Sequence, residues 1–246
     1  MSAESYGPLG QFKIKKLVDL EFAGIDISFT NTSLYMFIAT FSIIVFMLLA
    51  TRKKSLIPAR LQVVAESIYG FLENMVTASL GKEGKKFFPL IFSLFSFILM
   101  CNVWGMTPYS FTVTSHIAVT FTLAMIAFLA ITIFAIARNG FVGFFAMFLP
   151  SGVPWWMAPI IFFIEFFSFL IRPVTLSVRL FANIVAGHVL LKVVATFIVS
   201  LGVIFGILPM AFAIVMTGFE LFVAVLQSYI FAILVCAYLG EVTKAH

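Results

Sequence analysis

Long apolar runs separated by short polar segments dominate this chain. No charged residue occurs in residues 27–51 or in residues 87–137. A membrane span needs about 20 predominantly apolar residues. The first run therefore predicts one span (34–51) after an extramembrane arm (1–33). The second run predicts a helical hairpin, because the sequence MTPYS breaks it near its middle.

Residues 58–81 have an amphipathic pattern instead of a uniformly apolar one. Apolar residues recur at helical spacing on one face, whereas Gln62, Glu66 and Glu73 lie elsewhere. Pro58 suits the first turn of a helix. A packed soluble helix would have the same pattern, but the flanking spans favour a helix that lies along the membrane interface.

From Met157 to about Ser200 the pattern predicts one helix. At 1.5 Å per residue it would be roughly 60 Å long, twice the ~30 Å hydrocarbon core of a bilayer. We therefore expect it to be strongly tilted or broken, and Pro173 would permit a kink. Two glycines and a proline then predict a turn before a last helix over 210–240. Residues 157–241 should thus form a long tilted hairpin.

The segment before the long helix, residues 139–158, is rich in glycine and proline and contains Trp155 and Trp156. Tryptophan favours the membrane–water interface. We therefore expect a surface or re-entrant connection here, since irregular backbone at membrane depth has to be buried in protein or line a cavity.

Ionisable residues interrupt the predicted long helix at regular intervals. Glu165, Arg172 and Arg179 are spaced by seven, and Asn183 lies one turn beyond Arg179. Steps of seven leave a helical side chain about 20° from its starting direction, so these four residues share one stripe. His188 falls on roughly the opposite face. An ionisable side chain within a span is by default a candidate functional residue.

The composition identifies the class of protein. Of the 246 residues, 63% are hydrophobic and 10% are charged, and the mean hydropathy is +1.16, which excludes an ordinary soluble domain of this size. We predict an all-α, polytopic membrane protein that forms a single membrane domain over residues 1–246. It should contain about five membrane-embedded helices and one interfacial amphipathic helix, and its last two helices should be long and strongly tilted.

The net charge of +5 fits basic loops at the negative inner face of a membrane better than nucleic-acid binding. Cys101 and Cys236 lie in separate apolar segments without a metal-ligand or CxxC pattern, so we interpret both as packing residues. The sequence has no nucleophile motif, phosphate-binding glycine loop or redox-cofactor motif. We expect no cofactor, no metal and no catalytic centre within this chain.

Arg179 is the strongest candidate for a functional residue. A guanidinium stays protonated at physiological pH, so it carries no proton itself but lowers the pKa of a neighbouring carboxylate and repels cations. It needs an anionic partner, and Glu165 lies about 21 Å away along the helix. The partner is therefore either Glu220 or a carboxylate on another protein. A purely structural ion pair between packed helices is the competing interpretation.

Glu165, His188 and Glu220 are titratable groups inside predicted spans, and such groups mark proton relays and ion paths. Histidine and carboxylate exchange protons near neutral pH once burial shifts their pKa values. Three such groups on both sides of a permanent cation favour an ion path over isolated core residues. A zinc site at His188 and Glu220 would lack a third ligand.

Three segments resemble motifs of one protein family. RPVTLSVRLFANIVAGH (172–188) resembles the signature of subunit a of F-type ATP synthases, the membrane stator beside the rotating c-ring. ILMCNVWGMTPY (98–109) resembles the family's asparagine-containing hairpin motif, and ELFVAVLQSYIF (220–231) resembles its last-helix motif. The resemblance covers nearly the whole chain, least well the N-terminal arm, and the arginine motif is highly specific.

The resemblance implies roles for individual residues. Arg179 matches the essential arginine that faces the c-ring carboxylate, and Glu165 matches an acidic residue of the half-channel leading to the ATP-producing side. His188 and Glu220 match the pair in the opposite half-channel, in the order found in mitochondrial-type members. The other matches are polar residues beside the arginine or along the inlet path, namely Asn183, Gln227, Asn102 and His116.

The resemblance also implies a function. It predicts a stator subunit of the proton-transporting ATP synthase, whose two half-channels couple proton translocation to rotation. Expected partners are the c-ring, peripheral-stalk b-type subunits, the lipid bilayer and, indirectly, the soluble catalytic sector, but no nucleic acid. We expect the inner (plasma) membrane of a bacterium rather than that of a mitochondrion. The alternatives are an ion-coupled secondary transporter, for which the sequence has no internal repeat, and a structural assembly subunit without an ion path.

The basic loop residues predict the topology of the chain, with the N-terminal arm outside and residues 52–86 and 241–246 inside. A cysteine introduced at Ser5 should react with a membrane-impermeant reagent from the outside, and one at Ser55 from the inside. Labelling of intact cells and of inverted vesicles measures this. Equal accessibility of both positions from one side would contradict the topology.

Overall fold

The structure, a computed structural model, describes residues 16–19, 21–22, 25–26, 28–52, 58–107, 111–149 and 154–244. The labelling positions Ser5 and Ser55 lie outside the described residues. Before the first long helix, β1 (Lys16–Val18) pairs antiparallel with β4 (Phe29–Thr30). Between them, β2 (Glu21–Phe22) pairs with β3 (Ile25–Asp26). The sequence pattern predicted an extramembrane arm here but not these strands.

The rest of the described chain is almost entirely helical. Its α-helices are α1 (Asn31–Thr51), α2 (Arg60–Leu80), α3 (Phe88–Gly105), α4 (Ile117–Ala146), α5 (Ala158–Ser200), α6 (Gly202–Phe205) and α7 (Ile207–Lys244). Helices α1, α3, α4, α5 and α7 are long and apolar enough to cross a membrane. The prediction of an all-α polytopic membrane protein with about five membrane-embedded helices is confirmed.

Helix α2 is the amphipathic helix of the sequence pattern, but its predicted apolar face is only partly buried. Leu61 and Val64 belong to that face by their helical spacing, yet they are 50% and 49% exposed. Helical spacing identifies residues that share a face, but it does not say how much of that face a neighbouring helix covers. The buried positions of α2 are Ala65, Leu72, Met75, Val76 and Leu80.

A kink at Gly140 (φ 71°, ψ 173°) divides α4 into two helical stretches. The second stretch, residues 141–146, lies within the segment expected to be a surface or re-entrant connection. The sequence pattern did not predict that these described residues are helical. The resumed turn packs Phe144 against Phe169 of α5, and this burial stabilises a helix that the glycine pattern alone argued against.

Helices α5 and α7 form the long hairpin. Helix α5 comprises 43 residues, which corresponds to roughly 65 Å. Pro173 lies inside it, yet the helix continues on both sides. Of the two alternatives, a tilted or a broken helix, the break is therefore not observed. Contacts of Arg172 with Glu241 and of His188 with Glu220 show that the two helices run antiparallel.

Helix α7 is at the centre of the packing, because it contacts α5, α3, α2 and α4. The main core contains fully buried side chains from all five of these helices, including Leu72, Ile98, Ala135, Leu180 and Phe231. A smaller core joins α1 to α3 and to the segment before α4 through Ala39, Cys101 and Val113. This arrangement holds the described segment 111–116 against the hairpin.

A glycine at the end of α3 permits the close approach of that segment. A Cβ atom at Gly105 would lie 2.6 Å from Thr112 Cγ2, which is closer than any ordinary contact. Phe111 to Ser115 are all buried, and Val113–Ser115 forms a single 3₁₀ turn. The position of Thr112 therefore depends on the missing side chain at residue 105.

Gly105→Ala is expected to destabilise the protein by about 1–3 kcal/mol, because the β-branched Thr112 has few rotamers with which to avoid the new methyl group. Gly70→Ala in α2 is the matched control, since a Cβ there meets nothing within 4 Å. It should be neutral or stabilising by roughly 0.5–1 kcal/mol. Thermal unfolding in detergent compares the two variants. Equal melting temperatures would refute the argument.

Candidate functional site

Arg179 lies on the exposed face of α5, whereas its neighbour Leu180 is fully buried. Among the described residues, no carboxylate is in ion-pair contact with its guanidinium. The alternative that Glu220 neutralises Arg179 is wrong, because Glu220 is buried against a different partner, His188. The structure therefore leaves a permanent cation on the outer surface of the hairpin.

His188 of α5 and Glu220 of α7 face each other across the hairpin. His188 Nδ1 is in ion-pair contact with Glu220 Oε1, and the two side chains are only 10% and 7% exposed. Apart from this contact, Glu220 Oε1 has no hydrogen-bond partner among the described residues. Gly187 provides the space, since a Cβ there would lie 2.8 Å from the same oxygen. The arrangement suits the exchange of a proton between imidazole and carboxylate.

The other ring nitrogen of His188 contacts the segment between α3 and α4. Its Nε2 lies 2.8 Å from Thr112 Oγ1, and this hydroxyl also donates a hydrogen bond to the backbone oxygen of Gly105 at 3.2 Å. Thr112 is 3% exposed. The histidine is thus held from both sides, by a carboxylate on α7 and by a hydroxyl on this segment.

Asn102 continues the polar contacts of the same region. Its side-chain oxygen accepts a hydrogen bond from Thr114 Oγ1 at 2.8 Å, and its Nδ2 donates to the backbone oxygen of Ala224 at 3.4 Å. Asn102 and Thr114 are both fully buried. Asn102 therefore joins α3, α7 and the segment that holds His188.

Asn183 and Gln227 form a second polar contact between α5 and α7. Asn183 Nδ2 donates to Gln227 Oε1 at 2.9 Å. Gln227 is fully buried, and its Nε2 has no hydrogen-bond partner among the described residues. Since Asn183 is one turn from Arg179, this bond fixes the hairpin beside the exposed guanidinium.

Glu165 and Arg172 lie in a cleft near the opposite end of the hairpin. Arg172 Nη1 donates to Glu241 Oε2 at 2.5 Å, and its guanidinium lies 4.2 Å from the ring centre of Tyr238. Glu165 is half-buried and forms no hydrogen bond or ion pair with the described chain. The cleft is lined by Met147, Phe148, Glu165, Phe169, Arg172, Tyr238, Glu241 and Val242.

The stripe of Glu165, Arg172, Arg179 and Asn183 is therefore not equally exposed along its length. Arg172 turns to the end of α7 and is 18% exposed, whereas Arg179 faces outward. Spacing by seven places residues on one side of a helix, but the antiparallel neighbour covers only part of that side. Tertiary packing thus separates the two arginines into a paired and an unpaired cation.

His116 occupies a separate position. Its ring stacks on Phe111 with 5.0 Å between the ring centres, and its Nε2 is buried without a hydrogen-bond partner among the described residues. Burial lowers the pKa of His116 below its usual value, so the neutral imidazole is favoured. The structure does not bring it into hydrogen-bonding contact with His188 or Glu220.

Sequence reasoning missed Thr112, Thr114 and Glu241. A run of hydroxyl residues in FTVTS, between two apolar helices, was the available signal for the threonines. Glu241 is the first carboxylate after the last span, but its partner Arg172 could be identified only from the fold. His188 and Glu220 have no third His, Cys, Asp or Glu nearby in the described ranges that could complete a metal site.

Most of the site residues lie within a match to a known protein family. A family model described as ATP synthase A chain matches residues 33–240 of this chain. The match contains Arg179, the His188–Glu220 pair and Glu165, and it ends just before Glu241. Members of this family act in proton translocation within the membrane sector of ATP synthases, beside the c-ring and in contact with lipid. The chain therefore belongs to the ATP synthase A chain family of multi-pass, energy-coupling membrane proteins.

Proposed function

We propose that this chain is the stator subunit that couples proton translocation to c-ring rotation, through two offset half-channels separated by Arg179. The observation that carries the proposal is the exposed guanidinium of Arg179, which has no carboxylate partner among the described residues. A cation on the surface of a membrane helix is costly unless an anion neutralises it. A carboxylate of the adjacent c-ring is the expected anion.

Two polar sites lie on either side of Arg179 along α5. His188 is about 14 Å from it along the helix axis, and Glu165 is about 21 Å away in the other direction. A proton cannot pass between sites so far apart through apolar packing. A proton taken up at one site must therefore travel on the c-ring to reach the other.

The His188–Glu220 pair is the proposed inlet. The pair passes a proton to an ionised c-ring carboxylate and neutralises it. A neutral carboxyl group faces lipid at modest cost, whereas an ionised one would pay a large desolvation penalty. Protonation therefore permits the ring to rotate into the membrane. Asn102 holds the inlet segment to α7, and His116 lies beside that segment at the same end of the hairpin.

The cleft that contains Glu165 is the proposed outlet. Its cavity volume of about 250 Å³ far exceeds the ~10–15 Å³ that one water molecule requires on the same measure, so the cleft has room for a hydrated path. After nearly a full turn, the c-ring carboxyl group reaches this side and releases its proton. Glu165 accepts the proton and passes it to water.

Arg179 between the two paths has two effects. It lowers the pKa of the passing carboxylate, which favours proton release, and it repels a hydrated proton that would otherwise leak across. Each charge that crosses ~100 mV releases about 2.3 kcal/mol, so a leak would dissipate the free energy that drives rotation. The bond from Asn183 to Gln227 holds the arginine side of α5 against α7.

The proposed partners follow from the same surface. The c-ring occupies the face that presents Arg179, lipid covers other apolar faces, and peripheral-stalk b-type subunits connect the chain to the soluble catalytic sector. The proposed location is the inner (plasma) membrane of a bacterium.

Substitution of Arg179 tests the proposed barrier. Arg179→Ala should abolish ATP synthesis and allow passive proton leak, because nothing then separates the half-channels. Arg179→Lys should abolish synthesis as well, because it keeps the charge but loses the planar fork of donors. ATP synthesis and proton flux measured side by side in inverted vesicles check both variants.

Arg138→Ala is the matched control for the Arg179 variants, because it removes a positive charge from the exposed surface of α4, away from the proposed barrier. It should retain synthesis without a leak. Membranes with Arg179→Ala that stay proton-tight and still synthesise ATP would overturn the proposed role of Arg179.

Substitution of Glu220 tests the inlet separately. Glu220→Gln should slow proton uptake about 100-fold without a leak, because it removes a relay group and leaves the barrier intact. Exchanging the pair, with His188→Glu and Glu220→His together, should restore part of the activity, because one acid and one imidazole still face each other. Passive proton flux into vesicles stripped of the catalytic sector measures both effects.

Glu66→Gln on the exposed surface of α2 is the matched control for Glu220→Gln, since it removes a carboxylate whose hydrogen bond goes to Gln62 and not to the pair. Its flux should equal that of the unmodified protein. If Glu220→Gln matched this control, the inlet would have to be assigned to other residues.

A further inference from the structure

We propose that Thr112 is a positioning residue that favours a proton on His188 Nε2, so that Nδ1 is the ring nitrogen that exchanges protons with Glu220. This inference rests on the proposed function of the pair and adds a residue to it. It follows from the hydrogen bonds that surround the imidazole ring.

The Thr112 hydroxyl has a single proton to donate. Thr112 Oγ1 contacts two groups, the backbone oxygen of Gly105 at 3.2 Å and His188 Nε2 at 2.8 Å. A carbonyl oxygen only accepts hydrogen bonds, so the contact with Gly105 is a hydrogen bond only when the hydroxyl proton points to Gly105. The hydroxyl then accepts from its other neighbour, and His188 Nε2 is the donor.

The reverse assignment has an energetic cost. If Thr112 donated to His188 Nε2, the lone pairs of Oγ1 would face the lone pairs of the Gly105 oxygen across 3.2 Å. The Thr112 side chain is 3% exposed, so little water is present to relieve that repulsion. A buried polar contact of the wrong polarity costs about as much as an unsatisfied group. This difference favours the Nε2–H form of His188 by roughly 5- to 150-fold.

The opposite side of the imidazole ring faces Glu220. With Nε2 protonated, neutral His188 presents the lone pair of Nδ1 to Glu220 Oε1, with which it is in contact. A proton on Glu220 then moves directly to Nδ1, which leaves a carboxylate and an imidazolium. The return step restores the neutral pair with the proton on Glu220, which is therefore the group of the pair that passes it on. One proton moves between two atoms in contact, and Nε2–H is unchanged in both states.

The other tautomer would interrupt this relay. A neutral His188 with its proton on Nδ1 would direct that proton at Glu220 and leave its only lone pair at Nε2. Accepting a proton from Glu220 would then require the ring to turn over inside a site where both partners are less than 11% exposed. Thr112 removes this step by fixing the tautomer in advance.

The direct test is the protonation state of His188 Nε2 in the assembled, membrane-reconstituted complex. Side-chain nitrogen NMR with ¹⁵N-histidine distinguishes a protonated from an unprotonated ring nitrogen. The chain has three histidines, so a His188→Gln sample identifies the signal of His188. Spectra are recorded at a pH where His188 is neutral, and protonated Nε2 with unprotonated Nδ1 supports the proposal. Unprotonated Nε2 in the unmodified protein overturns it, without any need for a Thr112 variant to fold.

The functional test uses three variants in vesicles stripped of the catalytic sector. Thr112→Val keeps the shape but removes the hydroxyl, and it should lower passive proton flux about tenfold, well below the ~10⁴-fold loss that a wrong histidine tautomer causes in serine proteases. Thr112→Ser should restore most of the lost flux.

Thr120→Val is the matched control, because it removes another fully buried threonine hydroxyl, bonded to Ser177 at 3.2 Å. Its flux should stay within about twofold of the unmodified protein.

The outcomes separate the two levels of inference. If His188→Gln retains full flux, the proposed inlet is wrong, whatever the nitrogen spectrum shows. If His188→Gln loses flux but Thr112→Val equals Thr120→Val, the inlet stands and the role of Thr112 is overturned. Flux is normalised to the amount of chain assembled with the c-ring, so loss of folding is not mistaken for loss of the relay.

Discussion

A charge in a medium of low dielectric constant needs a counter-charge, and the rest of this structure depends on how that constraint is met. Placing an arginine at the centre of a membrane helix costs about 2.5–3.5 kcal/mol on insertion scales. Arg172 meets the cost within the chain, through Glu241 and the ring of Tyr238. Arg179 does not, because no described carboxylate reaches it. The proposed function follows from this difference, since the missing anion has to arrive on a partner.

The same constraint explains why the buried polar groups occur in connected sets. His188, Glu220 and Thr112 each satisfy another member, and Asn102 with Thr114 extends the contacts to the backbone of α7. An isolated polar group in such a place would cost several kcal/mol. A connected set costs less and also fixes the orientation of each ring and carboxylate. The proposed proton transfer and the structural stability would therefore depend on the same hydrogen bonds.

The antiparallel hairpin of α5 and α7 determines where these sets lie. Because the helices run in opposite directions, residues far apart in sequence meet in two places, His188 with Glu220 and Arg172 with Glu241. The two contacts are 16 residues apart along α5, which corresponds to roughly 24 Å. A hairpin of this length thus holds two polar sites apart while presenting one exposed arginine between them.

The sequence by itself determined the class of fold and most of the candidate residues. Apolar runs have the length that a bilayer requires, so the spans were predictable, and an ionisable residue such as Arg179 is conspicuous within them. These are local properties of the chain. The helical stretch that follows the kink at Gly140 was not predictable, because its stability depends on Phe144 packing against another helix.

Only the tertiary structure decided which charges are paired. Spacing by seven treats Arg172 and Arg179 alike, whereas the position where α7 ends gives one of them Glu241 and leaves the other exposed. The contact of Thr112 with His188 likewise joins residues 76 positions apart, which no sequence periodicity encodes.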